Sequence, residues 1–101
     1  MNVSITARKF KARDTLKSYI NDELSSLTRF YDDILRADVI LSYRNPNNSV
    51  KSAEITLHVP GQTLVAADES DDFKKSVNSS VDKLETQLRK LKSKRTMHRN
   101  A

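Results

Sequence analysis

Residues 72–95 read Asp72-Phe73-Lys74-Lys75-Ser76-Val77-Asn78-Ser79-Ser80-Val81-Asp82-Lys83-Leu84-Glu85-Thr86-Gln87-Leu88-Arg89-Lys90-Leu91-Lys92-Ser93-Lys94-Arg95. Phe73, Val77, Val81, Leu84, Leu88 and Leu91 recur at steps of four and three, the apolar stripe of an amphipathic helix. At about 100° per residue, Lys83, Gln87, Lys90 and Lys94 form a second row along one flank of that stripe. Ser76 stands ahead of them, and no acid interrupts the row. Arg89 and Lys92 lie toward the other flank and outer side, with Asp82 and Glu85. One predicted helix thus closes a core and offers an ordered row of cations. A solvated face whose lysines serve solubility has the same pattern.

Upstream, Val3 and Ile5 alternate with Ser4 and Thr6 as a half-buried strand. Arg8 to Arg13 is a basic connector. Asp14 or Thr15 can start a helix. Leu16, Ile20, Leu24, Leu27 and Tyr31 give its stripe, widened by Tyr19 and Phe30, so a helix is expected from about residue 14 to 31. Residues 37–43 are rich in β-branched and aromatic residues, with Val39, Leu41 and Tyr43 on one side. Asn45-Pro46-Asn47-Asn48 signals a turn. In residues 51–59, Ala53, Ile55, Leu57 and Val59 point inward, and Ser52, Glu54, Thr56 and His58 outward. Pro60-Gly61 supplies a tight turn, and residues 63–67 a fourth strand. Asp68 to Asp72 is an acidic lead into the last helix, where carboxylates suit the N-terminal dipole.

The order is β-α-β-β-β-α. Short turns make the last three strands a meander, and one-sided alternation gives the sheet one apolar face. The expected fold is of the α/β (α+β) class: a two-layer sandwich with two helices on one face of a four-stranded sheet. Residues 1–95 are read as one domain, and 96–101 as a short polar tail, expected to be disordered.

Net charge is +5, and it is segregated. Residues 1–13 carry +4, residues 83–101 carry +6, and the middle carries −5. Two basic ends favour a polyanion partner, nucleic acid before membrane, because the last helix needs its apolar stripe for the core. Cysteine is absent, so there is neither a disulfide framework nor a thiolate metal site. The start lacks a signal-peptide apolar run, and a cytoplasmic protein is expected.

Catalytic chemistry is not expected. His58 falls on the polar side of a strand and His98 in the tail. The acids at 68–72 lack the spacing of a calcium loop. Gly61, the single glycine, excludes a glycine-rich phosphate cradle. No catalytic residue, metal site, cofactor or small-molecule substrate is assigned. Phe10 could stack on a base or sit at the core edge. Without aromatic platforms on the strands, phosphate contacts on structured RNA fit better than stacking on single strands.

The run Asp82-Lys83-Leu84-Glu85-Thr86-Gln87-Leu88-Arg89-Lys90-Leu91-Lys92-Ser93-Lys94 resembles the D-K-L-E-x-Q-L-R-K-x-K-x-K signature of the ribosome hibernation promoting factors, the group that includes protein Y. Ser4-Ile5-Thr6, Thr15-Leu16-Lys17-Ser18-Tyr19-Ile20 and Ala53-Glu54-Ile55-Thr56-Leu57-His58-Val59 are similar in order and spacing. The resemblance spans residues 2 to about 95. It implies the same fold and a non-enzymatic role. It implies a small-ribosomal-subunit partner, occupied across the channel for mRNA and the A- and P-site tRNAs, with translation repressed and idle ribosomes preserved in stationary phase or stress. It would place Lys83, Gln87, Lys90, Lys92 and Lys94 on rRNA phosphates, with Arg89 and Lys17 in support. Arg8 and Lys9 of the connector join the candidate set. The family's D-M-Y-x-A-I-D start reads here Asp72-Phe73-Lys74-Lys75-Ser76-Val77-Asn78, and positions often lysine in its first helix are Glu23 and Ser26. The resemblance is to a short form, expected to be monomeric when free. A double-stranded RNA-binding module, which shares the α-β-β-β-α order, is the alternative.

Overall fold

A strand whose every second residue is apolar has one dry face and must find a layer to cover it. In the computed structural model that strand is β3 (Lys51–Val59), and Ala53, Ile55, Leu57 and Val59 are all buried. Described are residues 1–29, 31–45, 47 and 49–100, the last six in backbone alone. Phe30, Pro46 and Asn48, which the sequence reading used in a stripe and a turn, lie outside the described residues, as does Ala101.

The other elements are β1 (Asn2–Ala7), α1 (Asp14–Thr28), β2 (Arg36–Tyr43), β4 (Gln62–Ser70) and α2 (Phe73–Asn100). The sheet order is β1-β2-β3-β4. β1 runs parallel to β2, with Ile5 opposite Val39, because the α1 crossover returns the chain in the same direction. The remaining pairs are antiparallel, with Val39 opposite Ile55 and Ile55 opposite Ala66. Pro60 and Gly61 alone join β3 to β4, and Gly61 takes φ +87°, open to glycine without a Cβ penalty.

Both helices lie on the face that carries Val39, Leu41, Ile55 and Leu57. α1 supplies Ile20, Leu24 and Leu27, and α2 supplies Val77, Leu84 and Leu88. Each such leucine or isoleucine contributes about 1.5–3 kcal/mol on burial. The helices run in the same direction. Lys74 lies over the Tyr19 ring at 5.6 Å, and Asn78 donates to Glu23 Oε1 at 2.6 Å. Two serines let α2 approach the sheet closely: Ser76 and Ser80 are both 0% exposed. The Ser76 hydroxyl donates to the Lys51 carbonyl (2.7 Å), and that of Ser80 to the Ser76 and Ala53 carbonyls. This is the expected β-α-β-β-β-α two-layer arrangement.

Three boundaries differ from the sequence reading. α1 ends at Thr28, not near 31. Thr28 Oγ1 bonds the Ser25 carbonyl and Ser26 Oγ the Glu23 carbonyl, drawing on the helix's own acceptors. Asp32 and Asp33 would then meet the negative end of the dipole. β4 continues through Asp68, Glu69 and Ser70, because β3 offers partners as far as Lys51. The acidic run is therefore mostly strand. Asp72 alone takes the helix-starting role, with its carboxylate accepting from the Lys74 amide at 3.0 Å. α2 continues to Asn100, past Arg95, through a stretch with no proline or glycine to stop it.

Candidate nucleic-acid interface

The flank row of α2 starts buried, passes along a sheet edge, and ends in solvent. Ser76 faces β3. Next, Lys83 and Gln87 reach the free edge of β4. Lys83 Nζ donates to the Ala67 carbonyl at 3.0 Å, and Gln87 Nε2 to the Val65 carbonyl at 3.0 Å. Edge carbonyls are open hydrogen-bond acceptors, and here two side chains cover them. Lys83 is also 3.4 Å from Asp68 Oδ2. The row is thus not free of acid: Asp68 arrives from β4, a pairing that sequence spacing along α2 could not reveal.

Beyond Leu88 the row leaves the core. Lys90 and Lys94 are exposed and make no ion pair among the described residues, and Lys92 is exposed beside them. Arg89 bonds Glu85 one turn back at 3.2 Å. A helix rises about 1.5 Å per residue, so Lys90, Lys92 and Lys94 occupy about 6 Å of axis. These three form the concentrated part of the candidate set.

Arg8, Lys9 and Lys17 lie at the opposite end of the molecule. The Arg8 amide donates to the Leu41 carbonyl at 2.9 Å, fixing the connector beside the end of β2. Lys17 is exposed where the first turn of α1 closes, at the end of the molecule where α2 starts. Their placement follows from topology. With β1 parallel to β2 and a meander after it, the end of β1 sits where α2 begins. The sequence contained that signal, but the reading joined the basic ends by charge alone.

Phe10 belongs to an aromatic cluster with Tyr43 (5.0 Å between ring centroids) and Phe73 (5.2 Å, nearly parallel). That places it at the core edge. His58 Nε2 is 2.9 Å from Asp38 Oδ2 and 3.2 Å from Arg36, on the sheet face away from the helices. Among the described residues no His, Cys, Asp and Glu side chains converge as a metal site. Among the described residues no helix is long and apolar enough to cross a membrane.

Two carboxylates on this side are held in their charged form. The Glu69 amide, 2.8 Å from Asp68 Oδ1, and then the Lys83 ammonium hold the Asp68 carboxyl below its usual range. Lys75 does the same for Asp71 at 3.2 Å. Burial, then the hydrogen bond to Glu23, raises the Tyr19 hydroxyl. A carboxyl depressed in the fold stabilises it above the unfolded-state value near 4, and that contribution is lost as pH falls through the folded value. The Lys83 tether should therefore hold at neutral pH and loosen only as pH falls through the lowered value of the folded Asp68 carboxyl. Asp68→Asn is expected to flatten the acid side of the stability–pH curve, read by urea unfolding at pH 3 to 6. An acid limb as steep as the parent's would remove Asp68 from this role.

A family model described as sigma 54 modulation protein / S30EA ribosomal protein matches residues 3–96. A ribosome hibernation promoting factor of Azotobacter vinelandii is 33% identical over 94 residues, spanning 93% of this chain and 85% of that one. One from Pseudomonas putida is 30% identical over 94 residues, spanning 93% and 89%. The ribosome hibernation promotion factor of Deinococcus radiodurans is 30% identical over 92 residues, and the match takes in 48% of its length. The N-terminal domain of Thermus thermophilus protein Y superposes with a TM-score of 0.80 at 29% identity, over 90% of this chain and 99% of that one. A ribosomal subunit interface protein from Coxiella burnetii gives 0.84 at 28% identity, over 92% and 99%.

Proposed function

The chain belongs to the sigma 54 modulation protein / S30EA ribosomal protein family, and from that premise we propose that it is a ribosome-associated dormancy factor acting in the cytoplasm by occupancy, without catalysis. It docks on the small subunit in the channel for mRNA and tRNA, excludes both, and keeps idle ribosomes intact in stationary phase or stress. The observation that carries this reading is the far end of α2. Lys90, Lys92 and Lys94 stand on a helix anchored by Leu84 and Leu88, so ordering these cations on a phosphate surface costs little backbone entropy. Arg89 and Gln87 flank them. Lys83, tethered to β4, contributes field more than direct contact.

Contacts of this kind release counterions from RNA. Binding to purified small subunits is expected to weaken linearly in log–log form with added KCl, with a slope of about −2 or steeper. Subunits already loaded with mRNA and P-site tRNA should bind the protein poorly. A salt-independent association, or equal binding to loaded subunits, would remove the channel assignment. A bare RNA duplex bound as tightly as the subunit would favour the duplex-binding alternative instead.

A further inference from the structure

The connector after β1 forms a second basic site that α2 does not share. A groove of about 750 Å³ lies between residues 8–10 and residues 42–45. Arg8, Lys9, Arg44, Phe10 and Tyr43 line it, and no acid is among its described lining residues. Arg44 Nε is held 3.1 Å from Glu69, which fixes its guanidinium at the rim. Arg8 and Lys9 are exposed and make no ion pair among the described residues.

Lys9 also takes φ +63°, the left-handed region that costs an L-residue and suits glycine. A lysine kept where glycine would relax the turn is a strained residue in a basic groove. Strain of this kind clusters where a side chain is used.

The groove sits at the start of α2, since Phe10 stacks on Phe73. Lys90 is about 26 Å further along the helix axis. That exceeds the screening length of about 8 Å at physiological salt. The two clusters therefore act on separate sets of phosphates.

The geometry points to a bipartite RNA-binding protein: the groove beside Lys9 takes a backbone phosphate of one rRNA segment while the α2 end takes another. Arg8 and Lys9 supply the charge, and Ser42 a neutral hydroxyl on the wall. The inference rests on rRNA being the partner, and it adds a second, spatially distinct contact. A rigid body gripping two segments about 26 Å apart would bind assembled subunits far better than short RNA, because the second contact is made at high effective concentration.

The test compares Arg8→Ala/Lys9→Gly with Lys90→Glu/Lys94→Glu, using purified small subunits and a uridine tetranucleotide oligomer as probes. Lys9→Gly relieves the backbone, so the first variant should melt about 4 °C higher. It should nonetheless bind subunits about tenfold more weakly, with the salt slope reduced by about one to two. On the tetranucleotide, whose phosphates are too few to span both clusters, its affinity should change less than threefold. Subunit affinity and slope equal to the parent's, with Lys90→Glu/Lys94→Glu impaired, would overturn the bipartite site and leave the proposed function standing. Full binding by both variants would overturn both. An equal loss on oligomer and subunit would also overturn bridging.

Discussion

A protein carrying Lys90→Glu, Lys92→Glu and Lys94→Glu together is expected to lose roughly a thousandfold in affinity for small ribosomal subunits. It should no longer co-sediment with them, while melting within about 5 °C of the parent. Each reversal replaces an attraction to phosphate with a repulsion. A change of about 1.4 kcal/mol per position is tenfold per position. The fold should tolerate the change because all three side chains are exposed and lie past Leu88. Lys83 is deliberately left out. Its ammonium holds the Ala67 carbonyl and the Asp68 carboxylate, so reversing it would disturb the β4 edge and confuse binding with folding. Co-sedimentation at the parent's level would remove the end of α2 from the docking surface. Lost binding with a collapsed melting temperature would show the three lysines to be structural.

How far the residues announced this arrangement depends on the range of each interaction. The stripe from Phe73 to Leu91 is local, because a helix repeats its faces within a single turn. Its buried members are the ones the spacing marks. The alternation around Ile55 is equally local, and Gly61 reports its own backbone need. The Lys83–Asp68 contact joins an edge strand to a helix, and no periodicity in either segment encodes it. Asp68 read as helix lead-in because the local dipole rule is sound. What overrides the rule is β3, whose length gives β4 partners as far as Ser70. The wide separation of Lys9 from Lys94 is an intermediate case. It follows from strand directions, and net charge, a sum without coordinates, conceals it.

The position of Leu88 fixes where the fold stops supporting the interface. Leu88→Ala is expected to cost about 3 kcal/mol, lowering the melting temperature by about 12–20 °C. Leu91→Ala, one turn on and half-buried, should cost about 1 kcal/mol or less. Leu88 is 0% exposed and is the last fully buried residue of its stripe, so truncation leaves a cavity closed only by partial relaxation. Beyond it only the half-buried Leu91 still packs against the core, and helix propensity must do more to hold the lysines in register. Loosening the anchor therefore acts on function as well as stability. At a temperature where Leu88→Ala is still fully folded, its α2 end should fray more and its subunit affinity should fall about threefold to tenfold. The reason is that ordering the three lysines is then charged against binding. Leu24→Ala, equally buried but on α1, should destabilise by a similar amount and leave folded-state affinity unchanged. Urea unfolding and subunit binding at 15 °C separate the two. Equal affinity loss in both variants would mean that global stability, not the anchoring of α2, governs docking. An unchanged affinity in Leu88→Ala would mean that the lysines are ordered independently of the core.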